Sequence, residues 1–436
     1  MSQTLRNAWK IEDLRKKLLF TLLILVIVRL GCAIPVPFLD PSRLQEMLDS
    51  TQGNLLGYLN LLTGGAFAEA TLFALGVSPY ITASIVIQLL TVAIPSLERM
   101  AKEEGEEGQK KIARITRYTT VGLGLLMGWA YYQMLVNYAS SGFNIITEQG
   151  FVPALVIILT FTAGSAFVMW LGEQITEFGI GNGISMILFA SIISRLPTSV
   201  ITSIRNISTG SLEWWVALLV FLGALAIIVL IVYVNDAERR VPVQYAKRVV
   251  GRKMYGGQSS ILPLKVCSVG VMPLIFAMTI LQVPGMIGQF WPKGKFNTFV
   301  STYLSPATTN IAGIIIYYVL YAIMIVGFAY FYSSITFNPV EISKNLQQNG
   351  GFIPGIRPGR PTSDYLQKKC SRLTMFGALF LMIIAIIPTL LLKVLNITVL
   401  SAFGPTSILI MISVSIEIAD QLDSLMIMRN HKGFLN

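Results

Sequence analysis

Residues 214–234 read WWVALLVFLGALAIIVLIVYV, an apolar run without a single charged side chain, and the polar pair Asn235 and Asp236 follows at once. A helix rises about 1.5 Å per residue, so about 20 apolar residues cover the roughly 30 Å of bilayer hydrocarbon. The run is long enough to cross, and it is apolar on every face, unlike a helix at the surface of a water-soluble protein. Lipid is the solvent it requires.

Working outward, nine more runs of suitable length occupy residues 18–34, 71–94, 118–138, 152–171 and 181–200 before it, and 268–289, 311–332, 373–393 and 398–418 after it. The composition agrees: of 436 residues 54% are hydrophobic and only 13% charged, with a mean hydropathy of +0.66. A soluble domain carries about 25% charged residues. The runs follow one another too closely for a soluble domain between them. The sequence therefore predicts an all-α integral membrane protein of ten transmembrane helices. The first run lacks a small-residue cleavage site behind it and is expected to be a retained span.

Basic residues assign the orientation, because Lys and Arg are held on the cytoplasmic side. Of the 33 basic residues, 26 fall on one face: the amino-terminal segment, the loops after spans 2, 6 and 8, and the tail. The other face has six, and Arg29 lies inside span 1. Both ends are expected in the cytoplasm. Five spans per half would invert the second half relative to the first, so an inverted repeat is allowed, although the two halves share no convincing residue-level similarity.

Several segments break the bilayer pattern. Residues 60–70, NLLTGGAFAEA, are too short and glycine-rich to cross and too apolar for a solvated loop. They fit either an interfacial turn or a short re-entrant helix shielded by protein. In span 2, Ile81 and Ile85 stand one turn apart while Thr82, Ser84 and Gln88 interrupt the surface. Such a stripe packs in a core or against lipid, or, given its polar neighbours, faces a cavity. Span 5 opens on GIGNG (179–183), whose glycines permit sharp turns and close helix approach. Two cytoplasmic loops carry ERRVPVQYAKR (238–248), with Arg252 and Lys253 beyond, and GFIPGIRPG (351–359). Topological retention accounts for their charge. Their organisation, with strand character in VPVQY and a Pro/Gly-framed Arg357, also suits docking of an acidic or phosphate-bearing partner such as a motor protein or ribosomal RNA.

Enzyme chemistry finds no support. Cys32, Cys267 and Cys370 are scattered without metal-ligand spacing, the only histidine is His431, and no P-loop, Ser/His/Asp set or catalytic carboxylate pair is present. Neither a metal nor a cofactor is expected.

Six motifs together, IPVP (34–37), GGA (64–66), PYITASIVIQLL (79–90), GIGNGIS (179–185), RRVPVQYAKR (239–248) and GFIPGIRPG (351–359), resemble the SecY family, the channel-forming subunit of the bacterial Sec protein translocase. They occur in the family's order along essentially the whole chain. The resemblance implies two inverted five-helix halves, residues 18–200 and 214–418, between a cytoplasmic start (1–17) and a cytoplasmic tail (419–436). An external hinge loop (201–213) would join them, with cytoplasmic loops at 235–267 and 338–372. It implies a pore ring of Ile81, Ile85, Ile275, Ile410 and Ile187, or Leu188 in place of the last. It implies a re-entrant plug helix at about 59–70, with Leu61, Gly64, Gly65, Ala66, Phe67 and Glu69. The charge on Glu69 is a departure, since it calls for water or a partner. A lateral gate between spans 2 and 7 would involve Gln88, Thr91, Thr279 and Gln282, and docking would use Arg239, Arg240, Lys247, Arg248, Arg252, Lys253 and Arg357. The implied partners are SecE, SecG, the SecA ATPase, the ribosome, preprotein signal sequences, nascent membrane proteins and membrane lipid, in the bacterial cytoplasmic membrane.

The physical logic stands apart from the resemblance. A pore for unfolded chains must accept any side chain and still block ions. A collar of isoleucines does both, because an ion there loses hydration water without gaining ligands. A secondary transporter is the rival reading, and it calls for ionisable coupling residues near the midplane. The spans are nearly free of them: Arg29 is in span 1, and Glu417 and Asp420 sit at the cytoplasmic end of span 10. A scaffold without transport activity is the third reading.

Overall fold

The computed structural model describes residues 9–50, 65–102, 104–139, 145–148, 150–210, 213–245, 248–250, 253–255, 259–266, 270–288, 290–291, 294–306, 308, 310–394 and 405–432. The first half runs α1 (Glu12–Gly31), a short α2 (Pro41–Ser50), α3 (Ser78–Ala93), α4 (Pro95–Lys102), α5 (Gly105–Ala139), α6 (Phe151–Phe178) and α7 (Gly183–Ser208). The second half begins with α8 (Trp214–Asn235), then four strands: β1 (Glu238–Tyr245), β2 (Arg248–Val250), β3 (Lys253–Tyr255) and β4 (Ser259–Lys265). It continues through α9 (Met272–Gly288), α10 (Lys295–Tyr303), α11 (Ile311–Thr336), α12 (Pro339–Gln348), β5 (Gly351–Phe352), α13 (Arg360–Val394) and α14 (Pro405–Lys432).

Each of the ten apolar runs overlaps a helix of its own, α1, α3, α5, α6, α7, α8, α9, α11, α13 and α14. Of the described helices, α6, α7, α8, the stretch 311–348 and α13 are long and apolar enough to cross a membrane alone, and α3 does so only together with α4 across a 106° bend. The protein is a multi-pass membrane protein. Helix α8, the most apolar of these, is only 6% buried by the rest of the chain.

Several boundaries differ from those expected. Helix α3 starts at Ser78, with Pro79 in its first turn, where the missing N–H costs nothing, and residues 71–77 are turns. Helix α7 continues through Pro197 to Ser208, so the joint expected at 201–213 shortens to 209–213. Its last turns are polar, but Thr202 and Ser203 donate to the carbonyls of Thr198 and Ser199, which suits the headgroup layer. Helix α14 begins at Pro405, and 398–404 lie outside the described residues.

The glycine motif explains the α6–α7 turn. Gly181 adopts φ +81°, Asn182 caps α7 by accepting from the Ile184 and Ser185 amides, and a Cβ on Gly183 would stand 1.8 Å from the Gly172 carbonyl oxygen. Only glycine lets the two backbones approach so closely.

The halves meet along two seams. On one, α9 touches α3 and α5; on the other, α14 touches α7. The largest apolar cluster lies between them and joins Ile85, Leu188, Leu274 and Ile410. Strand β1 pairs antiparallel with β4, Val241 opposite Leu262, and with β5, Gln244 opposite Phe352. The strand character of 241–245 is thus realised, and the two loops singled out in the sequence form one sheet of order β4-β1-β5, a small β element in an otherwise helical protein.

Candidate functional site

At the α3–α9 seam a cavity of about 20 Å³ is lined by Ile81, Met127, Leu188, Ile275, Met286 and Ile410, with Ser78, Thr82, Thr279 and Gln282. A single water needs about 10–15 Å³ on this measure, so the cavity is too small for a hydrated ion or a peptide. Two of its three hydroxyls donate to backbone, Thr82 to the Ser78 carbonyl at 3.0 Å and Thr279 to the Ile275 carbonyl at 2.8 Å, and the rest of the lining is mostly apolar.

Of the four helices expected to supply a ring residue, α3, α9 and α14 bring theirs together: Ile81 and Ile85 from α3, Ile275 from α9 and Ile410 from α14 share one core. Of these, Ile81, Ile275 and Ile410 line the cavity, while Ile85, 2% exposed, packs in the cluster beside it. On α7 the lining residue is Leu188, not Ile187. One helical step rotates a side chain by about 100°, and Ile187 turns to α6, where its Cδ1 lies 3.5 Å from a Cβ built on Gly172. Met127 and Met286 were missed, because one methionine in an apolar helix carries no positional signal.

The four residues expected at the sideways exit lie on the touching helices α3 and α9. Thr279 and Gln282 line the cavity. Thr91 donates to the Gln88 carbonyl at 2.7 Å, the Gln88 amide donates to the Ser84 hydroxyl at 3.3 Å, and Gln88 Oε1 is buried with no hydrogen-bond partner among the described residues.

Residues 65–70 form turns rather than the expected helix, and the rest of the plug expectation, Leu61 and Gly64 included, lies outside the described residues. Gly65 holds φ +100°, and a Cβ there would lie 2.6 Å from a guanidinium nitrogen of Arg195. Ala66 and Phe67 are each 1% exposed. The Phe67 ring meets Tyr131 at 4.6 Å, and the Tyr131 hydroxyl donates to the Phe67 carbonyl at 3.2 Å. Glu69 is exposed and its charge acts on Arg195. Arg195, from helix α7, is a nearby charge that the sequence reading did not identify.

In the sheet-bearing loops, Arg239 and Arg240 stand exposed on β1, with Arg240 paired to Glu238 at 2.8 Å. Arg248 and Lys253 belong to the β2–β3 hairpin, and Lys247 and Arg252 lie outside the described residues. Arg357 is exposed, without an ion pair among the described residues. Its loop is fixed from beneath: Gly355 and Gly359 take φ +81° and +98°, Thr362 donates to the Arg357 carbonyl at 2.8 Å, and Ser343 donates to the Gly359 carbonyl at 2.7 Å. Val241, Val243, Leu264, Ile353 and Leu366 form the core under this platform.

Comparison with known proteins addresses the same features. The SecY family model matches residues 71–419. The protein translocase subunit SecY of Streptomyces coelicolor is 44% identical over 445 residues, covering 98% of each chain. Among solved structures, one described as a protein conducting channel superposes with a TM-score of 0.67 at 17% identity, covering 94% of this chain and 91% of that one. Sec61 in a canine ribosome-channel complex gives 0.61 at 16% identity, with 94% and 91% covered. A match that takes in the cavity, both seams and the paired loops leaves one conclusion: the chain belongs to the SecY family.

Proposed function

We propose that this chain passes unfolded preproteins along the axis through the central cavity and releases sufficiently apolar segments between α3 and α9 into lipid. The chain is the channel subunit of a Sec translocon, and the channel carries no enzymatic step of its own. One observation supports the path above all: apolar side chains from α3, α5, α7, α9 and α14, drawn from both halves, converge on one cavity near water size. In this reading Ile81, Leu188, Ile275 and Ile410 form the constriction, Ile85 backs it, and residues 65–70 seat over it as part of the plug. A peptide widens the constriction by parting the halves, and each methylene it moves into lipid contributes about 0.8 kcal/mol to sideways release.

The same reading places both termini in the cytoplasm of a bacterial cell and the β4-β1-β5 platform on that side. Arg239, Arg240, the β2–β3 hairpin and Arg357 then face a motor such as the SecA ATPase or a ribosome. SecE and SecG complete the complex. Likeness to a ribosome-bound channel supports the ribosome among these partners.

A coupled transporter is not favoured, because no ionisable residue lines the cavity. The deciding experiment is photo-crosslinking of a stalled precursor from probes at positions 81, 188 and 275. Adducts at all three are expected, with none from position 229 on the lipid-facing side of α8. Adducts at 229 but not at the three would overturn the path.

A further inference from the structure

Trp129 and Phe290 belong to opposite halves of the molecule. Trp129 lies on α5, in the first half; Phe290 follows directly on α9, in the second. Their rings meet with centroids 4.9 Å apart, and Phe290 continues into Trp291 at 6.3 Å. One turn back, Met286 of α9 packs into a first-half cluster that includes Met127, Tyr131 and Met134 of α5. The contact is therefore a strip along the seam, with the aromatic pair at its end.

Trp129 is 49% exposed, so the pair sits on the outer side of the bundle and not in its core. That position determines what the pair can contribute. Lipid tails are as apolar as a protein interior, so burial alone holds nothing together there. What remains is the direct ring contact, which favours offset and tilted geometries, and the pair is tilted by 52°. Helix α5 packs along α3 as well as touching α9. If α3 and α5 move as one body, parting α3 from α9 also parts Trp129 from Phe290.

We propose that Trp129 and Phe290 form a clasp across the α3–α9 seam that sets how apolar a segment must be before the channel releases it sideways. The inference rests on the reading of that seam as the exit. A tilted ring pair lost on opening favours the closed channel by about two- to tenfold, the size of one aromatic contact. Weakening it lowers the apolarity a segment needs. It leaves the cavity lining, and with it the resting seal, unchanged.

The test uses the reconstituted complex and precursors whose test segment is graded in leucine content, scored as the ratio of released to translocated product. Trp129→Ala and Phe290→Ala are each expected to raise that ratio about two- to tenfold for a marginal segment. The double variant is expected to do no more than either single one, and Trp129→Phe to restore most of the original ratio. Additive effects, or no shift in any variant, would overturn the clasp. A parallel arm joins Gln88→Cys to Thr279→Cys with a short thiol crosslinker. Release that survives the crosslink refutes the exit itself, and the clasp with it. Release that the crosslink blocks, together with silent Trp129 and Phe290 variants, refutes the clasp alone.

Discussion

Replacing Gly65 with alanine tests whether residues 65–70 seal the resting channel. Two costs arise at that position, and they differ in kind. The new Cβ would stand 2.6 Å from an Arg195 guanidinium nitrogen, but that atom is the far end of a flexible side chain and can withdraw cheaply. The backbone cannot. At φ +100° an L-residue occupies a sparsely populated region, which costs about 1–3 kcal/mol. The seated segment is raised by that amount relative to any conformation in which the turn relaxes, so the unseated population grows about 5- to 150-fold. Withdrawal of Arg195 acts in the same direction, because its guanidinium faces both Gly65 and the charge of Glu69. Single-channel conductance of the reconstituted resting complex reads the change directly. Spontaneous openings should become more frequent by a factor in that range, while the amount of membrane-inserted protein stays the same. An Arg195→Ala channel should leak in the same direction, and adding Gly65→Ala to it should still increase openings, since the backbone cost is independent of the arginine. A Gly65→Ala channel as quiet as the parent, at equal protein, would show that this turn does not hold the seal.

The two neighbouring residues on α7 should separate by phenotype. Both are buried, so each alanine variant is expected to cost about 2–5 kcal/mol in thermal unfolding of the purified protein, but Leu188→Ala widens the lined cavity and is expected to raise resting ion leak, whereas Ile187→Ala removes a contact with α6 and is expected to give no comparable leak. Arg357→Glu reverses the charge of an exposed tip whose loop is held from below, so motor-driven export in inverted vesicles should fall at least tenfold while membrane insertion is unaffected. Raised salt should weaken docking of the parent more than that of the variant, and equal salt sensitivity would remove Arg357 from the interface.

The spans were legible because the bilayer imposes a simple demand: a run of about 20 apolar residues has no alternative structure in lipid. Each of the ten runs accordingly carries a helix among the described residues, although α3 and α9, at 16 and 17 residues, are short for a crossing. The same uniformity hid the phase of each helix. In residues 184–193 of α7 nearly every side chain is apolar, so no periodicity distinguishes Leu188 from Ile187, and only the packing of Ile187 toward Gly172 decides between them. Helix ends were misplaced for a related reason. Hydroxyl side chains such as Thr202 and Ser203 look like loop residues in sequence, yet they bond to carbonyls four residues back and continue the helix. The pairing of the two loops through Gln244 and Phe352 was out of reach, because it joins segments more than a hundred residues apart. The glycines at 179–183 were legible as a turn and a close approach, since few other functions require them at a helix start.

The placement of charge at membrane depth follows the same division as the cavity lining. Arg29, inside the span-1 run, donates to the Ala190 carbonyl of α7 at 2.7 Å, and Arg195 lies against the 65–69 turn. Lys393, at the end of α13, donates to the Pro306 and Thr308 carbonyls, each at 2.8 Å. All three cations brace helix against helix or helix against loop, and none of them contributes to the lining of the cavity. A conduit for chains of arbitrary sequence gains from this arrangement, because a fixed charge on the path would hold every opposite charge that passed and repel every like one. Removing the Arg29 side chain should therefore loosen α1 from α7 without changing which precursors the channel accepts, whereas one charge introduced at Leu188 or Ile275 should discriminate among precursors by the sign of their own charges.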